Sequence, residues 1–155
     1  MRRARPLLQA IVVVSLLAPA AARAQTCTFA SGPSTLSFGA YDPGATGPTD
    51  SSSTFSYVCT SARARPVLIE LSTGGGGAFN PRQLSSGGER LAYGLYSDST
   101  RSTIWGDGTG GSQSVSSVPV GPAHGATLTI YGRIATGQWV APGAYTDSIT
   151  VTLNF

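Results

Sequence analysis

From Tyr145 to the last residue, Phe155, the side chains alternate along the chain. Tyr145, Asp147, Ile149, Val151, Leu153 and Phe155 fall on one face, and Thr146, Ser148, Thr150, Thr152 and Asn154 on the other. The period predicts one half-buried strand over residues 145–155. Its apolar face needs a neighbour, and no residue follows Phe155 to supply one. The pattern therefore points to a subunit whose last strand is covered by another chain.

Upstream, the same period recurs in short runs separated by turn clusters. Thr35 to Phe38 reads as a short strand ended by Gly39 and the turn Asp42-Pro43-Gly44. Residues 44–53 read as a polar loop, and Thr54 to Thr60 as a strand with Phe55, Tyr57 and Cys59 on one face. Val67, Ile69 and Leu71 alternate in the next strand. Gly74 to Gly77 reads as a flexible loop, because four glycines held extended lose too much entropy. Leu91, Tyr93 and Leu95 define a further strand, Thr103 to Trp105 a short one, and Val115 to Val120 a weaker one broken by Pro119. Thr127 to Ile134 is clear. Seven or eight short strands and no amphipathic helix predict an all-β, two-sheet sandwich.

Residues 1–24 interrupt this pattern and read as a signal peptide. Arg2, Arg3 and Arg5 form a basic start, Leu7 to Ala18 an apolar stretch, and Ala22-Arg23-Ala24 an A-x-A cleavage site. The apolar stretch is shorter than the roughly 20 residues of a membrane span, and Gln9 and Pro19 break it. Residues 25–155 are then one domain, long enough for a core. The formal charge of +3 becomes six basic against seven acidic residues once the leader is removed, which excludes a basic nucleic-acid surface. In an exported chain the two cysteines, Cys27 and Cys59, read as a disulfide. The closed loop of about 33 residues stabilises the fold by roughly 3–4 kcal/mol on the chain-entropy estimate.

Catalytic chemistry finds little support. His124, the only histidine, sits in the turn-like run Gly121 to Gly125, and no serine lies in a G-x-S-x-G elbow. The carboxylates are scattered, Asp98 and Asp107 included, without a glycosidase-type pair. Gly106, Gly108 and Gly111 match G-x-G-x-x-G, but Ser112 to Val115 is not the helix a dinucleotide site needs. One histidine and two cysteines do not make a structural zinc site, and Asp107 lacks the spaced acids of a calcium loop. No metal or cofactor is expected. Trp105, inside a strand, reads as packing, and Trp139, in the run Gln138 to Pro142, reads as a surface recognition residue. Arg63 and Arg65, before Pro66, read as a solvated turn.

An ordered set of segments resembles the spore coat protein U family, which includes subunits of archaic chaperone–usher pili. The set opens with Cys27-Thr28-Phe29 and Phe38-Gly39-Ala40-Tyr41-Asp42-Pro43. It continues through Tyr57-Val58-Cys59, Leu91 to Tyr96, Trp105 to Gly108 and Thr129 to Ile134, and closes with Gly143 to Asp147 and Val151 to Phe155. The resemblance implies an incomplete immunoglobulin-like β-sandwich lacking its final strand. It also implies that a periplasmic chaperone lends that strand and that a neighbouring subunit later replaces it, by strand addition. A donor burying about five apolar side chains contributes on the order of 10 kcal/mol before ordering costs.

On this reading the protein is an exported, non-enzymatic pilus subunit of the periplasm and cell surface. Its expected partners are the chaperone, an outer-membrane usher and a neighbouring subunit. Ile149, Val151, Leu153 and Phe155 are expected to line the groove, with Leu36 and Phe38 as its opposite wall. Only Gln25 and Thr26 precede Cys27, about 7 Å of extended chain. That is short of a donor strand of about 5–6 residues, so a terminal subunit that accepts a strand but gives none is expected. Two alternatives stay open. One is a stand-alone coat or matrix protein that closes its own groove with Ser112 to Val120; the other is a carbohydrate-binding adhesin that uses Trp139.

Overall fold

The computed structural model describes residues 25–60, 65–119 and 124–155. Residues 1–24, read from the sequence as a leader, residues 61–64 with Arg63, and residues 120–123 beside His124 lie outside them. Eight strands follow one another: β1 (Thr26–Ser31), β2 (Thr49–Thr60), β3 (Val67–Leu71), β4 (Arg82–Ser86), β5 (Glu89–Tyr96), β6 (Val115–Ser117), β7 (Gly125–Ile134) and β8 (Val151–Asn154). They form a five-stranded sheet in the order β1-β2-β7-β5-β4 and a three-stranded sheet in the order β6-β3-β8. All pairings are antiparallel. No helix among the described residues is long and apolar enough to cross a membrane. The architecture is an incomplete immunoglobulin-like sandwich.

The two inner faces pack the apolar positions that the period-2 pattern marks. Phe55 and Tyr57 come from β2, Val67, Ile69 and Leu71 from β3, Leu91, Tyr93 and Leu95 from β5, and Ile130 and Ile134 from β7. Trp105 ties the layers together. Its backbone N–H donates to Leu95 O at 2.9 Å, and its indole N–H donates to Ile69 O at 3.1 Å. The disulfide joins Cys27 to Cys59, which face each other in the β1–β2 register.

Arg82 is fully buried and has no carboxylate within ion-pair distance. Its guanidinium donates instead to Ser72 O (3.1 and 2.8 Å), Phe79 O (3.2 Å) and Trp105 O (2.7 Å), and it lies 5.2 Å from the Phe79 ring centre. Burial lowers its affinity for the proton from the usual arginine range. The carbonyls keep the charge solvated where water is excluded.

Four expectations are corrected. The stretch Thr35 to Phe38 is not a strand; residues 32–39 have no regular structure. The serine-rich stretch read as a loop belongs to β2, which pairs with β7 from Thr49↔Ile134 to Val58↔Gly125. The hydroxyls of Ser51 and Ser53 give it a reason to be a strand, because they face the irregular segment and bond it. The closing strand is interrupted: Thr146 bridges Ser85 on β4, whereas β8 pairs with β3. The chain thus passes from one sheet to the other at Asp147–Thr150, and Asp147 breaks the ladder by bonding loop and core groups. Finally, the segment held as an internal closure, Ser112 to Val120, contributes β6, which pairs with β3 on the side away from β8.

Candidate binding groove

The three-stranded sheet covers only part of the inner face of the five-stranded one. β8 pairs with β3 along one edge, from Leu68↔Asn154 to Leu71↔Val151, and among the described residues no strand takes its other edge. The next backbone across the gap is the segment Pro33 to Phe38. Hydroxyls hold it in place of a ladder: Ser51 Oγ donates to Ser37 O (2.5 Å), Ser53 Oγ donates to Ser34 O (3.1 Å), and the Ser34 and Ser53 hydroxyls lie 2.7 Å apart. Leu36 and Phe38 rest on Gly132, where an added Cβ would come within 2.9 and 2.7 Å of them. Phe38 also meets Tyr93 edge-on, with ring centres 6.0 Å apart. A glycine at 132 is thus what lets the segment lie against β7.

Between this segment and the terminal one lies a cavity of about 280 Å³. Leu36 and Phe38 stand on one side, Ile149 and Val151 on the other, and Leu84, Tyr93, Leu95 and Ile130 form the floor. A second cavity of about 700 Å³ adjoins it over Leu91 and Ile134 and ends at the loop from Trp139 to Tyr145. The two share Thr35, Leu36, Phe38, Leu84 and Asp147, so they are one groove.

Among the described residues, Asp147 is the single charged one in the lining. Its Oδ1 accepts from Gly75 N–H (2.8 Å) and Ser148 N–H (2.8 Å), and its Oδ2 accepts from the Tyr93 hydroxyl (2.7 Å). The Tyr93 phenol is pushed well above its usual 10, first by burial and then by the bond to Asp147. The carboxylate is spent on holding the terminal segment to the core. The groove therefore offers apolar surface and one free backbone edge.

Of the residues expected in the groove, the structure brings Leu36, Phe38, Ile149 and Val151 around one cavity. Leu153 packs against the core outside both cavities. Phe155 is 56% exposed and lines neither. Sequence reasoning missed the floor, Leu84, Tyr93, Leu95 and Ile130, and the brace Asp147. Alternation marks Tyr93 and Leu95 as inward-facing but does not say which strand faces the gap. Trp139 is 81% exposed, in contrast to Trp105 at 1%. Asp98 and Asp107 do not meet: Asp98 binds Thr100, Ser102 and Thr103 of its own loop, and Asp107 binds Thr109. His124, in the turn just before β7, has a positive φ of 41° and accepts from Cys59 N–H through its carbonyl.

An all-β sandwich with an uncovered inner strip beside the unpaired edge of β8 is the class these features define. The Spore Coat Protein U domain profile matches residues 12–152, and the chain belongs to that family. No curated protein matches it. Among solved structures, it is similar to a chain of the CsuC–CsuE chaperone–tip adhesion subunit pre-assembly complex from the archaic chaperone–usher Csu pili of Acinetobacter baumannii. The TM-score is 0.56 at 19% identity, over 85% of this chain and 40% of that one. The chain thus spans less than half the length of that relative, and what they share is the fold.

Proposed function

We propose that this protein is a structural, non-enzymatic subunit of a surface fibre of the chaperone–usher type, and that the groove beside β8 accepts a strand from another chain. The observation that carries the reading is the unpaired edge of β8 above an apolar floor of Leu84, Tyr93, Leu95 and Ile130. Strand addition suits that combination: the edge supplies backbone hydrogen bonds, and the floor takes alternate side chains of the incoming strand. Family membership and the fold shared with a chaperone–usher complex support it. The reading makes a periplasmic chaperone the first donor, a neighbouring subunit the second, and an usher the exit route. Left empty, the groove is an open edge of the kind that aggregates.

The test is expression of the full chain in a periplasm with and without a co-expressed pilus chaperone. The expected result is soluble protein only with the chaperone, and a photocrosslinker at position 151 that captures it. Soluble protein without a partner, unfolding in one cooperative transition, would overturn the reading.

A further inference from the structure

We propose that Trp139 is the end-stop of the strand-accepting groove, an anchor that grips the incoming strand beyond β8 and sets its register. This rests on the strand-accepting reading of the groove and adds a residue and a role to it.

The loop that carries Trp139 is braced in place. The Gln138 side chain acts as a substitute strand on β5: its Nε2 donates to Ala92 O (2.9 Å) and its Oε1 accepts from Ala92 N–H (2.8 Å). Its backbone N–H donates to the Tyr41 hydroxyl (2.9 Å), which donates to Ala135 O (2.9 Å), and Gly137 N–H donates to Pro43 O (3.1 Å). An indole that is 81% exposed on so firmly held a loop is pre-organised for a partner, and binding to it loses little conformational entropy.

Position identifies the partner. Trp139 lines the larger cavity, which continues into the one walled by Ile149 and Val151. The floor runs Leu95, Tyr93, Leu91, alternate residues of β5, so a strand laid along it presents a side chain about every 7 Å and emerges at Trp139. A charged ligand would need a counter-charge. The only lining carboxylate, Asp147, already accepts three hydrogen bonds. The free edge of β8 is matched by peptide backbone.

The experiment uses the full chain, co-purified with a chaperone and then refolded at low concentration with or without synthetic peptides of about 11 residues that alternate valine or leucine with serine, enough to span both cavities. Hydrogen exchange of the β8 amides reads groove occupancy. Acrylamide quenching reads Trp139, since Trp105 is buried, with Trp139→Phe as the blank. A peptide that slows β8 exchange should also cut quenching several-fold. Trimming its two residues at the Trp139 end, or Trp139→Ala, should weaken binding about tenfold. Protected β8 amides with unchanged quenching would overturn the anchor and leave the groove standing. No β8 protection by any peptide would overturn both. Quenching relieved by mannose or galactose oligosaccharides and by no peptide would assign Trp139 to sugar binding and overturn the anchor.

Discussion

The two sheets of this sandwich are held by different means. In the five-stranded sheet, β2 and β7 pair over ten positions, and a disulfide fixes β1 to β2. In the three-stranded sheet, β3 is flanked by two short strands, and the facing segment Pro33 to Phe38 is held by serine hydroxyls. One sheet is complete in the sense that every neighbouring pair of its strands is laddered, although its outer edges are open; the other faces strand-like positions without a ladder. The difference teaches where this molecule keeps its capacity to change. A ladder already satisfied gains nothing from a new strand, whereas an edge with free amides and an apolar strip beside it gains both bonds and burial.

The contrast can be broken most severely at Arg82, whose guanidinium holds β4 of the complete sheet to Ser72 and Trp105. Arg82→Met keeps most of the volume but takes the guanidinium donor from two buried carbonyls, Phe79 O and Trp105 O, and from the part-buried Ser72 O. With a donor peptide bound in the groove, as for the unfolding midpoints below, it should destabilise the fold by about 3–5 kcal/mol in denaturant titration. Cys27→Ser with Cys59→Ser should cost roughly 3 kcal/mol, read as a lower midpoint of thermal unfolding. Because that change lies in the complete sheet, hydrogen exchange at β8 should be unaltered up to the point of global unfolding.

Gly132→Ala acts on the other region. Its Cβ would press on Leu36 and Phe38, so the segment Pro33 to Phe38 should lift, at about 1–3 kcal/mol. Faster exchange of amides 34–38, with β2 and β5 unchanged, is the signature. An equal loss of protection in both sheets would contradict the division drawn between them.

Tyr93→Phe removes the bond to Asp147 that spans the groove, at about 1 kcal/mol. The wild-type dependence on pH is a second measure. The folded phenol ionises well above 10, the unfolded one near it, so this contribution is whole below about pH 10 and declines as pH rises further. Thermal midpoints from pH 8 to 11 should fall more steeply for the wild type than for Tyr93→Phe. The smallest effect belongs to Asp50, which accepts two hydrogen bonds from Arg133 (2.7 and 2.8 Å) and lies 3.2 Å from Arg101. The Arg133 bonds lower its proton affinity from 3.8, so its contribution is present above pH 4 and is lost as pH falls below that value. Asp50→Asn should cost about 0.5 kcal/mol and flatten the acid side of the profile.

What the amino-acid order determined by itself is the set of inward-facing positions. Phe55, Tyr57, Ile69, Leu71, Leu91, Tyr93, Leu95, Ile130 and Ile134 alternate in short runs, and each is buried. Period-2 patterning is local, and a strand with one wet face must write it into consecutive residues. The pairing of Cys27 with Cys59 was legible for a similar reason, since two cysteines in a chain read as exported leave one partner each.

Tertiary structure alone decided which strands become neighbours, and with that where the gap falls. Ser51 to Ser53 read as a loop because serine has weak strand preference, yet β7 supplies a ladder and the crossing segment supplies acceptors for their hydroxyls. Thr35 to Phe38 read as a strand because its apolar residues alternate, yet among the described residues no strand pairs with it. The terminal run kept its alternation while crossing from β4 to β3, because Asp147 finds partners in Gly75 and Tyr93 that are 72 and 54 residues away in the chain. Alternation records which face of a strand is dry. Only the packed sheets determine what, if anything, lies beside it.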